Sequence, residues 1–439
     1  RPMKYFSHLN TAVQLLQQYN GTQPFGSFIK QHFSQHKKYG SKDRKNISHL
    51  CYAFFRLGKA LPQLPSAERI LAGLFLCSNE PNDLLQHLKP ALNNQAQLPL
   101  EDKFQLLGHP FALNELFPWR NELSNGIDYD PFCTSFLTQP DLFLRIRPGK
   151  ESTVKGKLQQ AGIPFQAVNQ SCLALPNASK VDTVIEIDKE AVIQDNSSQR
   201  IGELMEEIRE TAGTSAFARA SANKSTSLRA PRVWDACAAS GGKSILAADI
   251  FKQIDLTVSD IRKSILINLE KRFATAGINN YHSFVGDLSS STFKIQHSTF
   301  DIIITDVPCS GSGTWSRTPE QLYYFEPQQI EKYSSLQKRI VANAIPYLKQ
   351  GGFLLYCTCS VFKKENEEVV DFIQQQHSLQ LKRSALLTGY TTKADTLFGA
   401  IFQKLYGGLF FQHFALVHSL IIIVHGNLIN TRVPATGIY

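Results

Sequence analysis

Three cysteines stand at the ends of two apolar runs in the second half of the chain. Cys309 closes the run "FDIIITDVPC", and Cys357 and Cys359 close the run "GGFLLYCTC". Such runs are typical of buried parallel strands, whose carboxyl ends meet at one edge of a sheet. We therefore expect Cys309 and Cys359 to lie in one crevice, with Cys357 deeper in its strand and used for packing.

Thiols in this arrangement could serve a zinc site, a redox disulfide or a covalent nucleophile. A zinc site needs four converging ligands, and neither a CxxC pair nor a nearby histidine accompanies these cysteines. A redox disulfide would also be expected to use a CxxC pair. Nucleophilic catalysis needs one activated thiol. The pattern favours this third chemistry, but the spacing leaves Cys309 and Cys359 equivalent as the attacking group.

A glycine-rich turn and several acids end the neighbouring apolar runs. The stretch "DACAASGGKS" passes from a strand that ends at Asp235 into a helix that starts near Lys243. Its small residues let backbone N–H groups approach a ligand, although the turn is too short for a phosphate-binding GxxxxGK loop. Asp260 and Asp287 end the next two strands. Because an acid at the second strand can accept both hydroxyls of a ribose, the pattern fits an adenosine-bearing cofactor.

Alternating strands and helices must position these residues. From "RVWDAC" onward the pattern predicts an α/β domain with a doubly wound, parallel, Rossmann-like sheet. Residues 126–220 predict a small α/β subdomain: the strand "DLFLRIRPG", the helix "ESTVKGKLQQAG" and a strand, turn and helix capped by Asn196 or Ser197. A linker is expected within 211–232. Residues 1–125 carry apolar residues at helical spacing and predict a helical region.

Composition limits the class of protein. The 439 residues are 43% hydrophobic and 19% charged, a balance typical of a globular chain with two or three domains. Eight cysteines without a secretory opening predict reduced thiols and a cytoplasmic protein. The first 60 residues hold ten basic residues and one acid, an excess equal to the net charge of +9. This segment is either a solvated helical surface or one that binds nucleic-acid phosphates.

The last segment, 406–439, is strongly apolar and has Arg432 as its one charged residue. Gln412, His413 and His418 interrupt it, and its longest uninterrupted apolar run is short for a membrane span. We expect a docked or disordered extension of unknown role in place of a membrane-spanning helix.

The motifs "DACAASGGKS", "DVPCSGSG" and "YCTCSVFKKENE" together resemble those of RsmB/NOP-type RNA cytosine-C5 methyltransferases, in particular the bacterial 16S rRNA members. The resemblance covers 190–405, including "VIQDNSSQ". It extends more loosely to "DLFLRIRPG", in the family's RRM-like subdomain, and to "KDRKNISHLCYAFFRLG", in its helical RNA-binding domain. It implies a methyltransferase domain at 221–405 that moves a methyl group from S-adenosylmethionine to carbon 5 of a cytosine in structured RNA.

The resemblance also implies roles for individual residues. Cys359 would add to carbon 6 of the cytosine, and Cys309 would assist removal of the carbon 5 proton and release of the adduct. Asp306 would hydrogen-bond the base, with Lys243 beside it. Asp260 would bind the ribose. The implied cofactor site comprises Cys237, Ala238, Ala239, Ser240, Gly241, Gly242, Lys243, Asp260, Asp287 and Asp306.

Two positions depart from the family's pattern. Ser240 replaces the usual proline of the glycine-rich turn, which predicts a less rigid loop and weaker cofactor binding. Val307 replaces the commoner alanine and should add only packing bulk. Neither departure removes a reacting group.

The resemblance leaves several hypotheses about partners and activity. Ribosomal RNA is the expected substrate, with transfer RNA as the alternative. A DNA cytosine methyltransferase would use the cysteine of the "PC" motif as nucleophile, and the "TC" motif argues against it. A catalytically silent RNA-binding or ribosome-assembly factor is the non-enzymatic alternative, against which the intact reacting groups argue. We expect a monomer that binds neither DNA nor membranes.

Overall fold

The computed structural model describes residues 2–109, 112–214, 230–296, 298–377 and 379–405. Most of the predicted linker (215–229) and the whole apolar tail (406–439) lie outside the described residues. Within the described ranges, no helix combines the length and the apolar character that crossing a membrane requires.

The N-terminal part contains nine described α-helices, which confirms the helical region predicted from the spacing of its apolar residues. Their bounds are α1 (Pro2–Gln18), α2 (Phe25–Gln35), α3 (Ser41–Arg56), α4 (Ser66–Leu76), α5 (Asp83–Leu88), α6 (Pro90–Asn93), α7 (Leu100–Leu106), α8 (Ala112–Leu116) and α9 (Tyr129–Ser135). Aromatic rings fill much of the core: Phe25 lies 5.0 Å from the rings of Tyr19 and Phe55, centroid to centroid, and meets both edge-on. Such edge-to-face pairs add stability beyond the area that they bury.

A four-stranded antiparallel sheet, here called the small sheet, follows in the chain with the order β2-β3-β1-β4. Its elements, with the helix after it, are β1 (Leu142–Ile146), α10 (Glu151–Gln160), β2 (Gln166–Ala167), β3 (Cys172–Leu175), β4 (Ala191–Ile193) and α11 (Asn196–Thr214). The predicted cap of α11 was wrong by one residue. The helix begins at Asn196, so the capping residue is Asp195. Oδ1 of Asp195 accepts the N–H of Ser197 at 2.8 Å.

A seven-stranded sheet, here called the large sheet, has the order β10-β11-β9-β8-β5-β6-β7. Its strands are β5 (Arg232–Asp235), β6 (Asp255–Asp260), β7 (Tyr281–Val285), β8 (Phe300–Asp306), β9 (Leu348–Thr358), β10 (Leu379–Leu387) and β11 (Leu397–Lys404). Its helices are α12 (Gly242–Phe251), α13 (Lys263–Ala276), α14 (Pro319–Tyr324), α15 (Gln328–Ala344) and α16 (Glu367–Gln376). Apolar clusters pack on both faces. The α/β, doubly wound prediction is confirmed.

The five predicted strands of the sheet are parallel, and two further strands add an antiparallel edge. Strands β5 to β9 are parallel, but β11 runs antiparallel to β9 and to β10. The connection between β10 and β11 is short, and a short connection joins antiparallel neighbours only. In the parallel part, β5 lies between β6 and β8, so the strand order reverses there. Doubly wound sheets bind ligands at the carboxyl ends of the strands that flank such a reversal.

Buried ion pairs join the small sheet to the large one. Asp249 of α12 accepts Arg145 at 2.6 Å and Arg147 at 2.7 Å, and the carboxylate is buried. Removing one member of a buried pair leaves an uncompensated charge and is strongly destabilising. The two sheets are therefore held in a fixed relation. The division into domains at 125, 220 and 405 stays a prediction.

Arg56 anchors the N-terminal helices to the rest of the chain. The sequence counts it among the ten basic residues of the first 60, but the structure buries it. Its Nη1 donates to the carbonyl oxygens of Phe136, Thr138 and Ser316 at 2.8–3.1 Å. Arg56 therefore cannot belong to a phosphate-binding surface, because its donors are used inside the protein.

Candidate active site

The turn between β5 and α12 has an unusual backbone that fixes its shape. Ala239 and Gly241 have φ angles of 46° and 84°, in the left-handed region that side chains disfavour. A Cβ at Gly241 would lie 2.7 Å from the ring of Phe273, so only glycine fits there. The N–H groups of Ala238 and Ala239 donate to Ser259 O at 2.9 Å and to Asp260 Oδ2 at 3.0 Å. The tip of β6 therefore holds the turn.

Asp235 ends β5 beneath this turn and is buried. Its Oδ2 accepts the hydroxyl of Ser244 at 2.6 Å. Burial raises the pKa of Asp235 to about 7, and the negative charge of Asp306 adds to the effect. A carboxyl group in this environment is half protonated near neutral pH, so it can donate or accept a hydrogen bond under the turn.

Lys243 and Asp306 form the ion pair that the sequence predicts. Nζ of Lys243, in the first turn of α12, lies 2.7 Å from Oδ2 of Asp306 at the end of β8. Burial alone would lower the pKa of Lys243, but the neighbouring Asp306 carboxylate outweighs it and raises that pKa. The lysine therefore stays charged and fixes the negative charge of Asp306 at one place.

Cys309 and Cys359 lie in one crevice, as predicted, with their sulfur atoms 3.2 Å apart. Both are free thiols, as are the other six cysteines. The hydrogen bond with Cys359, together with burial, raises the pKa of the Cys309 thiol well above its usual range. This raised pKa favours the protonated form of Cys309. Cys357 is fully buried in the core, which confirms its predicted packing role.

A buried carboxylate that sequence reasoning missed joins the two cysteine loops. Oε2 of Glu365 accepts the N–H of Ser310 and the amide of Gln337, both at 2.9 Å, and Oε1 accepts the hydroxyl of Ser360 at 2.8 Å. Burial raises the pKa of Glu365. The signal in the sequence was an acid in the polar stretch "KKENEE", where a surface role is the ordinary expectation. This network holds the residues after Cys309 against those after Cys359.

One cavity of about 580 Å³ brings most of the predicted site residues together. The loops after β5, β6, β7 and β8 line it, and the two thiols lie in its wall. Sequence reasoning missed its apolar side, formed by Ile261, Leu288 and, from α15, Leu336 and Ile340. Ligand pockets typically measure about 300–1,000 Å³ and combine apolar walls with a few polar groups, which describes this cavity.

The predicted cofactor residues divide into those that line the cavity and those that support it. Cys237, Ala239, Asp260, Asp287 and Asp306 line it. Asp260 is buried and also accepts hydrogen bonds from Arg262, whereas Asp287 is exposed and caps its own turn. The remaining predicted residues shape the turn or pair with Asp306 behind it: Ala238, Ser240, Gly241, Gly242 and Lys243.

Arg272 supports the turn at the position that departs from the family's pattern. Its Nη1 donates to the carbonyl oxygen of Ser240 at 2.9 Å and to the Ser240 hydroxyl at 3.0 Å. The loop therefore has an external hydrogen-bonding support that the sequence did not reveal. Val307, the second departure, is buried in the core as predicted.

Part of the chain is similar in sequence to known ribosomal RNA methyltransferases. A family model described as 16S rRNA methyltransferase RsmB/F matches residues 227–398. "Probable ribosomal RNA small subunit methyltransferase B" of Bacillus subtilis is 32% identical over 146 residues, 33% of this chain and 33% of that protein. The "28S rRNA (cytosine-C(5))-methyltransferase" of Mus musculus is 30% identical over 164 residues, 35% of this chain and 20% of that protein. The chain thus matches a third or less of the length of these two relatives.

Longer but more distant similarities extend over the N-terminal part. A Synechocystis protein with the same name as the Bacillus relative is 24% identical over 337 residues, 72% of this chain and 70% of that protein. The crystal structure of PH0851 covers 92% of this chain and 99% of its own, with a TM-score of 0.64 and 17% identity. A methyltransferase homologue from Pyrococcus horikoshii covers 70% and 98%, with a TM-score of 0.52 and 21% identity. These two structures share the fold. Residues 227–398 of this chain are thus similar in sequence to the RsmB/F family of methyltransferases.

Proposed function

We propose that this chain transfers a methyl group from S-adenosylmethionine to carbon 5 of a cytosine in ribosomal RNA, and that this RNA is 16S rRNA. The observation that carries the proposal is the pair of thiols 3.2 Å apart in the wall of a cavity that also contains Asp306. A carbon 5 methyl transfer needs such a set: one thiol to attack, one group to handle a proton, and an acid to hold the base.

The residues of the cavity fit S-adenosylmethionine, which would supply the methyl group. Asp260 would accept the ribose hydroxyls, and Asp287 lies at the neighbouring strand end, where it would reach the adenine. Cys237 and Ala239 present the turn backbone to the ligand. Asp306 would face the positively charged methionine end, where a carboxylate stabilises the ligand. The apolar wall suits the flat adenine ring.

The attack on the base begins at Cys359. Its thiolate adds to carbon 6 of the cytosine, and the electrons of the 5,6 double bond move to carbon 5 and into the ring. Asp306 hydrogen-bonds the N3/N4 edge and favours the protonated, electrophilic form of the base. Lys243 keeps Asp306 in place through their 2.7 Å ion pair. Carbon 5 then carries the electron pair for the methyl group, which bound S-adenosylmethionine would supply from its sulfonium while leaving as S-adenosylhomocysteine.

The second half of the reaction regenerates the enzyme. The proton on carbon 5 leaves to a solvent water molecule, and Cys309 assists its removal. Its bonding electrons restore the 5,6 double bond and break the sulfur–carbon 6 bond, so Cys359 departs as a thiolate. The raised pKa of Cys309 supports this division of roles, because a protonated thiol is a poor nucleophile.

RNA is the proposed partner because of the charge on the N-terminal helices. Lys30, Lys37, Lys38, Lys42 and Lys45 are all exposed. Clustered lysines release counterions from a nucleic-acid backbone, which provides affinity without sequence preference. The chain would act on its RNA as a monomer in the cytoplasm. Transfer RNA is the alternative substrate.

A covalent trapping experiment tests the proposal. The variants Cys309→Ala and Cys359→Ala would be incubated separately with small-subunit ribosomal RNA and with transfer RNA, together with S-adenosylmethionine. Denaturing electrophoresis then detects any protein–RNA adduct, and sequencing identifies the attached nucleotide. Cys77→Ala is the matched control, because this half-buried thiol lies outside the cavity. We expect Cys309→Ala to accumulate an adduct with ribosomal RNA and Cys359→Ala to form none.

Each alternative result has a distinct meaning. Adducts with Cys359→Ala but not with Cys309→Ala would reverse the two roles and restore the arrangement used by DNA cytosine methyltransferases. Methyl transfer to transfer RNA alone would replace the proposed substrate. RNA binding without any methyl transfer by the unsubstituted protein would favour the silent binding factor.

A further inference from the structure

Arg272 connects the glycine-rich turn to the small sheet. Its Nη1 donates to both the carbonyl oxygen and the hydroxyl of Ser240. On its other side, Nη2 and Nε donate to the two carboxylate oxygens of Asp188 at 2.7 and 2.9 Å. Three elements that are far apart in the sequence thus meet on one planar guanidinium. A lysine could not make the same set of bonds, because it lacks the forked geometry.

Asp188 is itself held firmly in the small-sheet region. It is buried and has a φ angle of 69°, in the left-handed region. Its N–H donates to Ala191 O at 2.8 Å, and its carbonyl oxygen accepts Arg147 at 3.1 Å. Because Arg147 also pairs with Asp249 of α12, this region contacts α12 as well as Arg272 of α13. Asp188 is therefore a fixed point against which Arg272 can hold the turn.

The contact with Ser240 lies on the outer side of the turn. Cys237 and Ala239 line the cavity, whereas Ser240 bonds to Arg272 of α13. The left-handed angle at Ala239 is disfavoured for a residue with a side chain, so the turn needs support to keep this shape. The bonds from Arg272 supply that support at the next residue, without occupying the space that a ligand would take.

We propose that Arg272 is a positioning residue for the cofactor-binding turn, and that it couples the turn to the small sheet through Asp188. This inference rests on the proposed function. Arg272 touches no reacting atom; it holds the turn in its binding conformation. Its loss should therefore weaken binding of the adenosine ligand and leave the methyl-transfer step intact.

Isothermal titration with S-adenosylhomocysteine tests the inference without RNA. Loss of the two bonds to Ser240 in Arg272→Gln should raise the dissociation constant about thirtyfold, because each such bond contributes about a factor of five. Ser240→Ala keeps the carbonyl bond and should raise the dissociation constant about fivefold, by the same reasoning. The effect of Arg272→Gln should be smaller in the Ser240→Ala background, because the two residues share an interaction. Asp188→Asn should also raise the dissociation constant.

Arg383→Gln is the matched control, because Arg383 forms an exposed ion pair with Glu207 away from the cavity. Thermal unfolding without ligand monitors folding. In turnover, KM for S-adenosylmethionine should rise in Arg272→Gln while kcat at saturation stays constant. An unchanged dissociation constant in folded Arg272→Gln and Asp188→Asn, or additive effects with Ser240→Ala, would overturn the inference. Absence of binding by the unsubstituted protein would overturn the proposed function and, with it, this inference.

Discussion

The sulfur atoms of Cys309 and Cys359 lie 3.2 Å apart at the ends of two neighbouring parallel strands. In the register of β8 and β9, Asp306 lies opposite Cys357, and the two reacting cysteines follow at the same edge: Cys309 three residues after β8 and Cys359 one residue after β9. Two thiols at this distance share one hydrogen bond, which together with burial raises the pKa of Cys309. The proposed mechanism uses one thiol of this pair to attack the base and the other to assist proton removal.

Removing the charge of Lys243 should strongly reduce methyl transfer. Lys243→Met leaves Asp306 without its partner at 2.7 Å, so the carboxylate can turn away from the base. We expect kcat to fall about a hundredfold or more, a typical loss for a group that orients an acid or base in the transition state. The transfer of tritium from labelled S-adenosylmethionine to RNA measures kcat. Lys263→Met, at an exposed lysine, should change kcat by less than twofold, as surface changes ordinarily do; equal losses in both variants would contradict this role.

Removing the Glu365 carboxylate should destabilise the protein and impair the thiol pair. Glu365→Ala leaves the Ser310 N–H, the Gln337 amide and the Ser360 hydroxyl without their acceptor. The free energy of unfolding should fall by about 2–4 kcal/mol, because buried unsatisfied donors are costly. Urea unfolding measures this loss. Glu331→Ala removes an exposed carboxylate from α15 and should cost less than about 0.5 kcal/mol. Similar losses in the two variants would contradict a special role for Glu365.

Stability should fall as the pH rises from 3.8 to about 7, and Asp235 should contribute to the fall. Its pKa is 3.8 in a free side chain and about 7 in the folded protein, so the folded state retains a proton that the unfolded state has released. This stabilisation is complete below pH 3.8 and disappears as the pH passes 7. Between pH 5 and pH 7 the loss is at most about 3 kcal/mol. Asp235→Asn should flatten the dependence of the unfolding free energy on pH.

The control for this pH effect is Asp371→Asn, which changes an exposed carboxyl group. It should leave the pH dependence of the unfolding free energy as it is. Burial also raises the pKa of Asp395 to about 7. Asp235→Asn will therefore keep part of the dependence of the unfolding free energy on pH. A steeper decline in Asp235→Asn than in the unsubstituted protein would contradict the expected sign.

The salt dependence of RNA binding should decrease when exposed lysines of the N-terminal part are replaced. Lys37 and Lys38 are both exposed between α2 and α3. If each neutralises one phosphate, the double variant Lys37→Ala/Lys38→Ala should lower the slope of log K against log salt by about 1.5. Filter binding at several salt concentrations gives the slope. The control Lys263→Ala/Lys382→Ala removes two exposed lysines elsewhere, and an equal change there would indicate a general charge effect.

The sequence by itself determined the α/β class and the order of the reacting groups. Strands β5 to β9 were recognisable as apolar runs, and their ends could be placed on one edge because parallel strands share a direction. The meeting of Cys309 with Cys359, and of Lys243 with Asp306, followed from that rule and from the family resemblance. Local periodicity sufficed for these features because it reports burial along one element.

Only the tertiary structure decided which distant side chains complete the site. Glu365 looks like a surface acid, Arg56 like a surface base and Arg272 like an ordinary helical residue, yet each is bonded to segments far away in the chain. The antiparallel direction of β11 and the raised pKa of Cys309 likewise depend on packing. Hydrogen-bond partners and desolvation are set by three-dimensional neighbours, and a single sequence records the residue types but not those neighbours.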